Sequence, residues 1–104
     1  MQKEDFMLKV TSEDFDNWYE LDEFLENEFN NDMPVEISGI VGRWDGKHEI
    51  MPIVMNDIKE AFNKCVDGMD YFEMIQTEPD KIELHASHHD GTDNFVLKYV
   101  EEIV

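Results

Sequence analysis

Basic side chains are scarce in this sequence. Lys and Arg together number 8 among 104 residues, against 26 Asp and Glu, so the formal net charge at pH 7 is −18. A small domain needs a net charge of only about 2–8 in magnitude to stay soluble. A chain this acidic repels nucleic acid and anionic membranes and is attracted to basic surfaces. We therefore expect a basic protein as the partner, with no direct binding to nucleic acid or membrane.

Cysteine and long hydrophobic runs are also rare. The one cysteine, Cys65, excludes an internal disulfide framework. No segment approaches the roughly 20 apolar residues of a membrane span, and the N-terminus has no signal-peptide core. Sequence signatures of P-loops, nucleophile elbows, dinucleotide-binding loops and EF-hands are missing. These absences predict a cytoplasmic protein that is not an enzyme and uses no cofactor.

Enough hydrophobic residues remain, at 41% of the chain, for one modest core and a single domain, 1–104. Pro52 places one of the strand-like segments at a sheet edge or a bulge. The order β-α-β-β-α-β-β-β predicts an α+β fold, with an antiparallel sheet of about five to six strands and two helices on one face. The predicted strands are 6–10, 35–42, 48–55, 70–77, 81–87 and 94–104, and the predicted helices are 12–30 and about 56–67.

The second helix has the clearest apolar pattern. Its hydrophobic residues recur at the i, i+3, i+4, i+7, i+8 spacing of a buried helix face, and they are Ile58, Ala61, Phe62, Cys65 and Val66. Asn56 or Asp57 can cap its start, and Gly68 can end it. Cys65 on this face is expected to be a core residue and not a nucleophile.

The first helix is acidic along most of its length. Residues 12–32 contain nine acidic residues, and no basic residue lies between Lys9 and Arg43. On a helical wheel the apolar stripe consists of Phe15, Trp18, Leu21, Leu25 and Phe29. The opposite side carries a row of carboxylates, which are Glu13, Asp16, Glu20 and Glu23.

Several residues of this helix lie outside that simple division. Glu26 falls beyond the other border of the apolar stripe, while Tyr19 and Phe24 flank the acidic row. Asp14 and Asp22 fall inside the stripe, so Asp14 is expected to face the helix end and Asp22 to sit at the border of the buried face. A smaller acidic group, with an undetermined relation to the row, follows the second helix: Asp67, Asp70 and Glu73.

The row of carboxylates has a plain interpretation and a functional one. A run of like charges is usually a solvated face, and high acidity is also typical of halophiles or of solubility alone. The functional interpretation is nucleic-acid mimicry, because a duplex carries one phosphate per roughly 3.4 Å along each strand. Carboxylates in a row on a rigid helix could then occupy the basic groove of a DNA-binding protein. Exposed aromatic residues beside them, Tyr19 and Phe24, could anchor the contact or could cover the sheet edge.

Three of the four histidines lie close together near a turn. Imidazole and carboxylate ligands suit zinc and other transition metals, so this segment is an alternative metal site, formed by His85, His88, His89 and Asp90. Asp93 lies just beyond it. Two positions four apart in a strand are separated by about 13 Å, too far for one ion unless the strand bends. The competing interpretation is a polar strand end with a turn at Asp90 and Gly91.

Three segments carry a resemblance to known proteins. "GIVGRWDGKHEI" (39–50), "AFNKCVDGMDYFEM" (61–74) and "HHDGTDNFVL" (88–97) resemble small proteins of phages and mobile elements in low-GC Gram-positive bacteria. The chain departs from that pattern at Asp93, where Asn is expected. By type, its size and acidity also resemble anti-CRISPR and anti-restriction proteins that imitate DNA. An excess of lysine over arginine of seven to one agrees with an AT-rich bacterial or phage source.

The leading hypothesis is therefore a phage-encoded, acidic nucleic-acid mimic. It would block the DNA-binding surface of a host defence nuclease, either a CRISPR effector or a restriction enzyme, in the cytoplasm of a bacterial host. The expected partner-binding residues are Glu13, Asp16, Tyr19, Glu20, Glu23, Phe24 and Glu26. Two alternatives remain at this point: a non-catalytic phage accessory module for protein interaction, and a small metal-binding protein that uses the segment His85–Asp93.

Overall fold

Seven strands and two α-helices make up the computed structural model, which describes residues 8–89 and 91–100, without the side chain of Thr77. A short 3-10 helix at Ser12–Asp14 precedes the first α-helix. In chain order the elements are β1 (Leu8–Thr11), α1 (Trp18–Glu28), β2 (Val35–Arg43), β3 (Gly46–Glu49), β4 (Ile53–Met55), α2 (Ile58–Val66), β5 (Tyr71–Glu78), β6 (Lys81–His88) and β7 (Gly91–Tyr99).

All the strands belong to one antiparallel sheet in the order β1-β5-β6-β7-β2-β3. β4 also pairs with β2, on the edge that β3 uses. The predicted α+β class with an antiparallel sheet is confirmed, but the sheet is larger than the five to six strands expected.

The additional strand arises from Pro52. Residues 48–55 were expected to form one extended segment, whereas the structure divides them into β3 and β4, with Pro52 between the two. Proline has no N–H to donate to a ladder, so pairing stops there. β2 is nine residues long and accommodates both short strands along one edge. Residues 40–43 pair with β3, and residues 35–37 pair with β4.

The core lies between the helices and one face of the sheet. β6 shows the alternation that creates this face, because Ile82, Leu84 and Ala86 are buried while the residues between them are partly exposed. Leu84 lies opposite Met74 of β5 and Phe95 of β7, so the buried face continues across three strands. The apolar face of α2 packs on it with all five predicted residues buried, Ile58, Ala61, Phe62, Cys65 and Val66.

The acidic segment differs from the single helix predicted over 12–30. Thr11 and Asp14 form a capping box around the 3-10 helix, in which the Thr11 N–H donates to Asp14 Oδ2 at 2.7 Å. The chain is then extended at Phe15, and Asn17 caps α1 by accepting from the Glu20 N–H at 3.0 Å. Asn, Asp and Thr side chains favour such caps over a helix interior. As a result, Glu13 and Asp16 are not part of α1.

The later start of α1 affects two predictions, one about the apolar stripe and one about Asp14. Leu21, Leu25 and Phe29 are buried as expected, but Trp18 is 62% exposed and does not belong to the core. Trp18 is the first residue of α1, and it borders two surface hollows instead of the core. Asp14 faces a helix start, as expected, through its capping hydrogen bond.

Candidate interaction surface

Three exposed carboxylates lie on the solvent side of α1, each rotated by about 60° from the one before it. Glu20, Glu23 and Glu26 are three residues apart, which spaces them by about 4.5 Å along the helix axis at 1.5 Å per residue. Asp16 extends the row beyond the helix, because its N–H donates to Glu20 Oε1 at 3.0 Å and holds the two residues together. Of the predicted row, Asp16, Glu20 and Glu23 therefore remain on adjoining parts of the chain, with Asp16 in the linker before α1.

Glu13 is the member of the predicted row that does not join. It lies in the 3-10 helix, where its N–H donates to Thr11 Oγ1 at 3.2 Å. It is exposed, but it does not border the hollows that the other acidic residues line. Its exclusion follows from the extended backbone at Phe15, which separates the two helical segments.

One lysine from α2 offsets part of this charge. Lys59 Nζ lies 2.8 Å from Glu26 Oε2 and 3.2 Å from Asp22 Oδ1. Hydrogen bonds to Glu26 and then Asp22 raise the pKa of Lys59. Asp22 thus sits at the border of the buried face, as expected. Among the described residues, no ion pair reaches Glu20 or Glu23, so the centre of the row is uncompensated.

The aromatic residues around the row divide into exposed and packed rings. Tyr19 is 87% exposed, in agreement with its expected place beside the carboxylates. Phe24 is half-buried, and its ring lies 5.2 Å from that of Phe15 and 6.1 Å from that of Phe29. Phe24 therefore covers the core and is not an exposed ring beside the row. Trp18 is instead the second exposed ring near the row. The N-cap signal at Asn17 is the feature of the sequence that could have indicated its exposure.

Trp18 stands between two hollows. The larger, which we call the Trp18 groove, has a volume of about 400 Å³ and runs between the start of α1 and the start of β5. The second, of about 360 Å³, separates α1 from α2 and is bordered by Tyr19 and Asn63. A third and shallower hollow connects Tyr19 with the acidic row. We use the name α1 surface for this continuous region, formed by Asp16, Trp18, Tyr19, Glu20, Glu23 and Glu26.

The smaller acidic group after α2 is divided by the fold. Asp70 borders the Trp18 groove and adds to the α1 surface at its far side. Glu73 points to the opposite face of the sheet, 3.6 Å from Lys9. Asp67 is the C-cap of α2 and is exposed. Only Asp70 therefore extends the candidate surface.

The histidines do not converge. His85 lies on the face of the sheet away from the helices, with Asn94 as its hydrogen-bond partner and Glu83 at 3.7 Å. His88 belongs to the opposite face, and His89 is exposed. Asp90 lies outside the described residues. Across 8–89 and 91–100, no group of three His, Cys, Asp or Glu is placed to hold a metal ion.

His88 instead belongs to a buried polar cluster that the sequence analysis missed. Its Nε2 lies 3.0 Å from Oδ1 of Asp93, a carboxylate only 1% exposed. The same oxygen accepts from the Gly42 N–H at 3.0 Å and from Arg43 Nη1 at 2.8 Å. Burial raises the pKa of Asp93, but the hydrogen bonds from His88, Gly42 and Arg43 outweigh it and lower the pKa below its usual value.

The proton on His88 can be assigned from this geometry. Arg43 Nη1 carries two hydrogens, which are used by Asp93 and by the Gly42 carbonyl at 2.7 Å. None remains for His88 Nε2, although the two nitrogens are 3.0 Å apart. His88 Nε2 therefore carries a hydrogen and donates it to Asp93. In this arrangement His88, Arg43 and the Gly42 N–H all donate to one buried carboxylate oxygen, and the cluster connects β2, β6 and β7.

The buried thiol of Cys65 is poorly suited to act as a nucleophile. Burial raises the pKa of its thiol to about 12. The reactive form of cysteine is the thiolate, which is negligible at neutral pH for such a group. Its expected role as a core residue agrees with its position among the buried residues of α2.

No protein-family model, curated protein or solved structure matches this chain. Neither α1 nor α2, the α-helices of the described part of the chain, is long and apolar enough to cross a membrane.

Proposed function

We propose that this protein is an acidic inhibitor that binds the basic nucleic-acid-binding surface of another protein and blocks it by occupancy. It has no catalytic step of its own. The partner is a host defence nuclease, either a CRISPR effector or a restriction enzyme, and the inhibitor is encoded by a phage and acts in the bacterial cytoplasm. This proposal combines the charge of the chain with the resemblance noted in the sequence.

The observation that carries the proposal is the uncompensated row on α1. Glu20 and Glu23 are exposed, and no basic side chain of the described residues pairs with them. Like charges at this spacing destabilise a helix by a few tenths of a kcal/mol for each pair. Glu20 and Glu23 carry this cost without a basic neighbour, and in a chain of net charge −18 they are well suited to a basic partner.

The spacing of the row also fits a site that normally holds nucleic acid. One carboxylate per about 4.5 Å of helix axis is comparable with one phosphate per about 3.4 Å along a DNA strand. The row rises from a helix whose buried side, Leu21 and Leu25, is anchored in the core. Its charges are therefore held in place before binding, which reduces the ordering that association requires.

A competition assay tests the proposal. The chain is used to capture its partner from host lysate, and the purified partner is then bound to labelled DNA or guide RNA with increasing inhibitor. We expect displacement of the nucleic acid by the native chain. Reversal of the row with Glu20→Lys and Glu23→Lys should weaken displacement by at least about tenfold, since each contact of a desolvated charge contributes 1.4 kcal/mol or more.

The matched control reverses two exposed acids elsewhere. Glu49 on β3 and Asp80 in the β5–β6 turn are both exposed and lie outside the α1 surface. Glu49→Lys with Asp80→Lys gives the same net charge as the row variant. Equal loss of displacement in the two double variants would mean that total charge, not the row, is responsible, and no loss in either would contradict the proposal.

A second candidate function is a non-catalytic interaction module that uses the sheet. Ile40 and Val54 are exposed apolar residues on the face of the sheet away from the helices, next to the edge formed by β3 and β4. Such a face could mediate self-association. Sedimentation velocity distinguishes this candidate, because it requires a dimer that persists in about 0.5 M salt, where exposed charges are strongly screened.

A further inference from the structure

The residues that line the Trp18 groove are mostly apolar, and the polar ones are Ser12, Asp16, Asn17 and Asp70. Phe15, Leu21, Val66 and Phe72 form its floor, and each belongs to the core or packs against it. Trp18, which is 62% exposed, stands at its border. A volume of about 400 Å³ is near the lower end of ligand-binding pockets. It can admit one or two long side chains but not a folded segment.

The rim of the groove is acidic. Asp16 and Asp70 both line it, and no lysine or arginine does. An apolar floor with carboxylates at its mouth suits a side chain that has a hydrocarbon stem and a positive head. This complementarity excludes an acidic occupant and disfavours a purely apolar one, since the latter would desolvate the two carboxylates without pairing them.

Trp18 favours arginine over lysine for this role. A guanidinium is planar and weakly hydrated, so it stacks on an indole face while it donates to a carboxylate. An ammonium is compact and strongly hydrated, and it loses more hydration in the same place. Arginine is also enriched among the residues that dominate binding at protein interfaces.

The charge of the groove argues for a basic partner as its occupant. Asp16 and Asp70 line it without a lysine or arginine beside them, and the chain as a whole carries a net charge of −18. A positive side chain of another protein therefore complements the groove.

From these observations we propose that the Trp18 groove is the docking site for an arginine side chain of the basic partner. The stem lies along Phe15 and Phe72, the guanidinium stacks on Trp18, and its N–H groups donate to Asp16 or Asp70. This inference rests on the proposed function, since it specifies how the basic partner is recognised. The acidic row supplies attraction at a distance, and the groove supplies the preference for arginine.

The experiment compares two peptides of equal charge, one of alternating arginine and glycine and one of alternating lysine and glycine. Each carries a fluorescent label and is titrated by anisotropy at about 0.15 M and 0.3 M salt, where charges about 8 Å or more apart are increasingly screened. We expect the arginine peptide to bind about two- to tenfold more tightly, the range given by one cation–π contact of increasing desolvation.

Two variants test whether Trp18 causes the preference for the arginine peptide. Trp18→Leu should bring the ratio of the two affinities close to one while leaving the lysine peptide within about twofold of its native affinity. Trp44→Leu removes an exposed tryptophan outside the α1 surface and should keep the native ratio. In a Trp44→Phe background, Trp18 is the remaining tryptophan of the chain, and its emission should change with the arginine peptide. Circular dichroism confirms that each variant folds.

The outcomes separate this inference from the proposed function. An unchanged arginine preference in Trp18→Leu would overturn the docking site, whatever the competition assay with Glu20→Lys and Glu23→Lys shows. A dimer that Trp18→Leu dissociates would also overturn it, because a second copy would then occupy the groove. Loss of the preference in Trp18→Leu supports the site, even if the row variant still displaces nucleic acid and the proposed function fails.

Discussion

The carboxylate of Asp93 lies 2.8 Å from the guanidinium of Arg43, 50 residues away in the chain. This contact joins the end of β2 to the start of β7 at the point where their regular pairing, which runs as far as Ile40 and Asn94, has stopped. The Gly42 N–H, which would otherwise need a backbone acceptor, donates to the same carboxylate at 3.0 Å. The side chain of Asp93 thus continues the connection between two central strands after the ladder ends.

Removal of this carboxylate should destabilise the protein. Asp93→Ala leaves the Gly42 N–H and His88 without their acceptor, and hydrogen bonds to charged groups contribute about 1.5–3 kcal/mol. We expect the free energy of unfolding to fall by about 2–3 kcal/mol in urea titrations. Asp93→Asn keeps an acceptor oxygen and should lose less. A loss under about 0.5 kcal/mol for Asp93→Ala would show that the cluster has no structural role.

Asp93 also allows a prediction of how the free energy of unfolding depends on pH. Because the pKa of Asp93 is lower in the folded protein, the unfolded chain binds its proton first as the pH falls. Its stabilising contribution is therefore present above the unfolded pKa of about 4 and is lost as the pH falls through the lower folded value. The difference in unfolding free energy between native protein and Asp93→Asn should shrink below about pH 4. A difference that grows in acid would contradict the lowered pKa of Asp93. Because the two proteins share the other 25 acidic residues, the effect of those residues cancels in the difference.

Local patterns in the sequence were sufficient for much of this fold. The apolar spacing of α2 predicted its five buried residues, and the order of strands and helices predicted the α+β class with an antiparallel sheet. The helix start at Trp18 was missed because caps at Thr11 and Asn17 compete with a continuous helix, and a wheel drawn over 12–30 ignores them. The contacts of Lys59 with Glu26 and of Asp93 with Arg43 join residues 33 and 50 positions apart, so no local pattern could indicate them.

Salt should stabilise the native chain. A net charge of −18 destabilises the compact state by self-repulsion, and screening relieves it. We expect the melting temperature to rise between about 0.02 M and 0.5 M NaCl, by about 4–8 °C for each kcal/mol of repulsion relieved. Glu20→Gln with Glu23→Gln should melt higher than the native chain at low salt and show a smaller rise. A melting temperature independent of NaCl would indicate that the charges are too far apart to interact.

Phe24 and Tyr19 should respond to truncation in opposite ways. Phe24 packs between Phe15 and Phe29, so Phe24→Ala should lower the unfolding free energy by about 1–3 kcal/mol, less than the loss for a fully buried ring. Tyr19 is 87% exposed, and Tyr19→Ala should change stability by no more than about 0.5 kcal/mol. Chemical denaturation of the two variants measures this. A larger loss for Tyr19→Ala than for Phe24→Ala would contradict the placement of the rings.

Substitution of Lys59 should lower stability slightly and raise affinity for the basic partner. Lys59 is the basic residue paired with Asp22 and Glu26, and those pairs are partly exposed, so Lys59→Met should lower stability only slightly. The same change frees Glu26 and removes a positive charge beside the acidic row. Affinity for the basic partner should therefore increase by up to about fivefold at low salt, mainly through faster association. Lys98→Met, which removes one positive charge from the opposite face of the sheet, is the matched control and should have little effect. Weaker binding in Lys59→Met would place the partner's contact elsewhere than on α1.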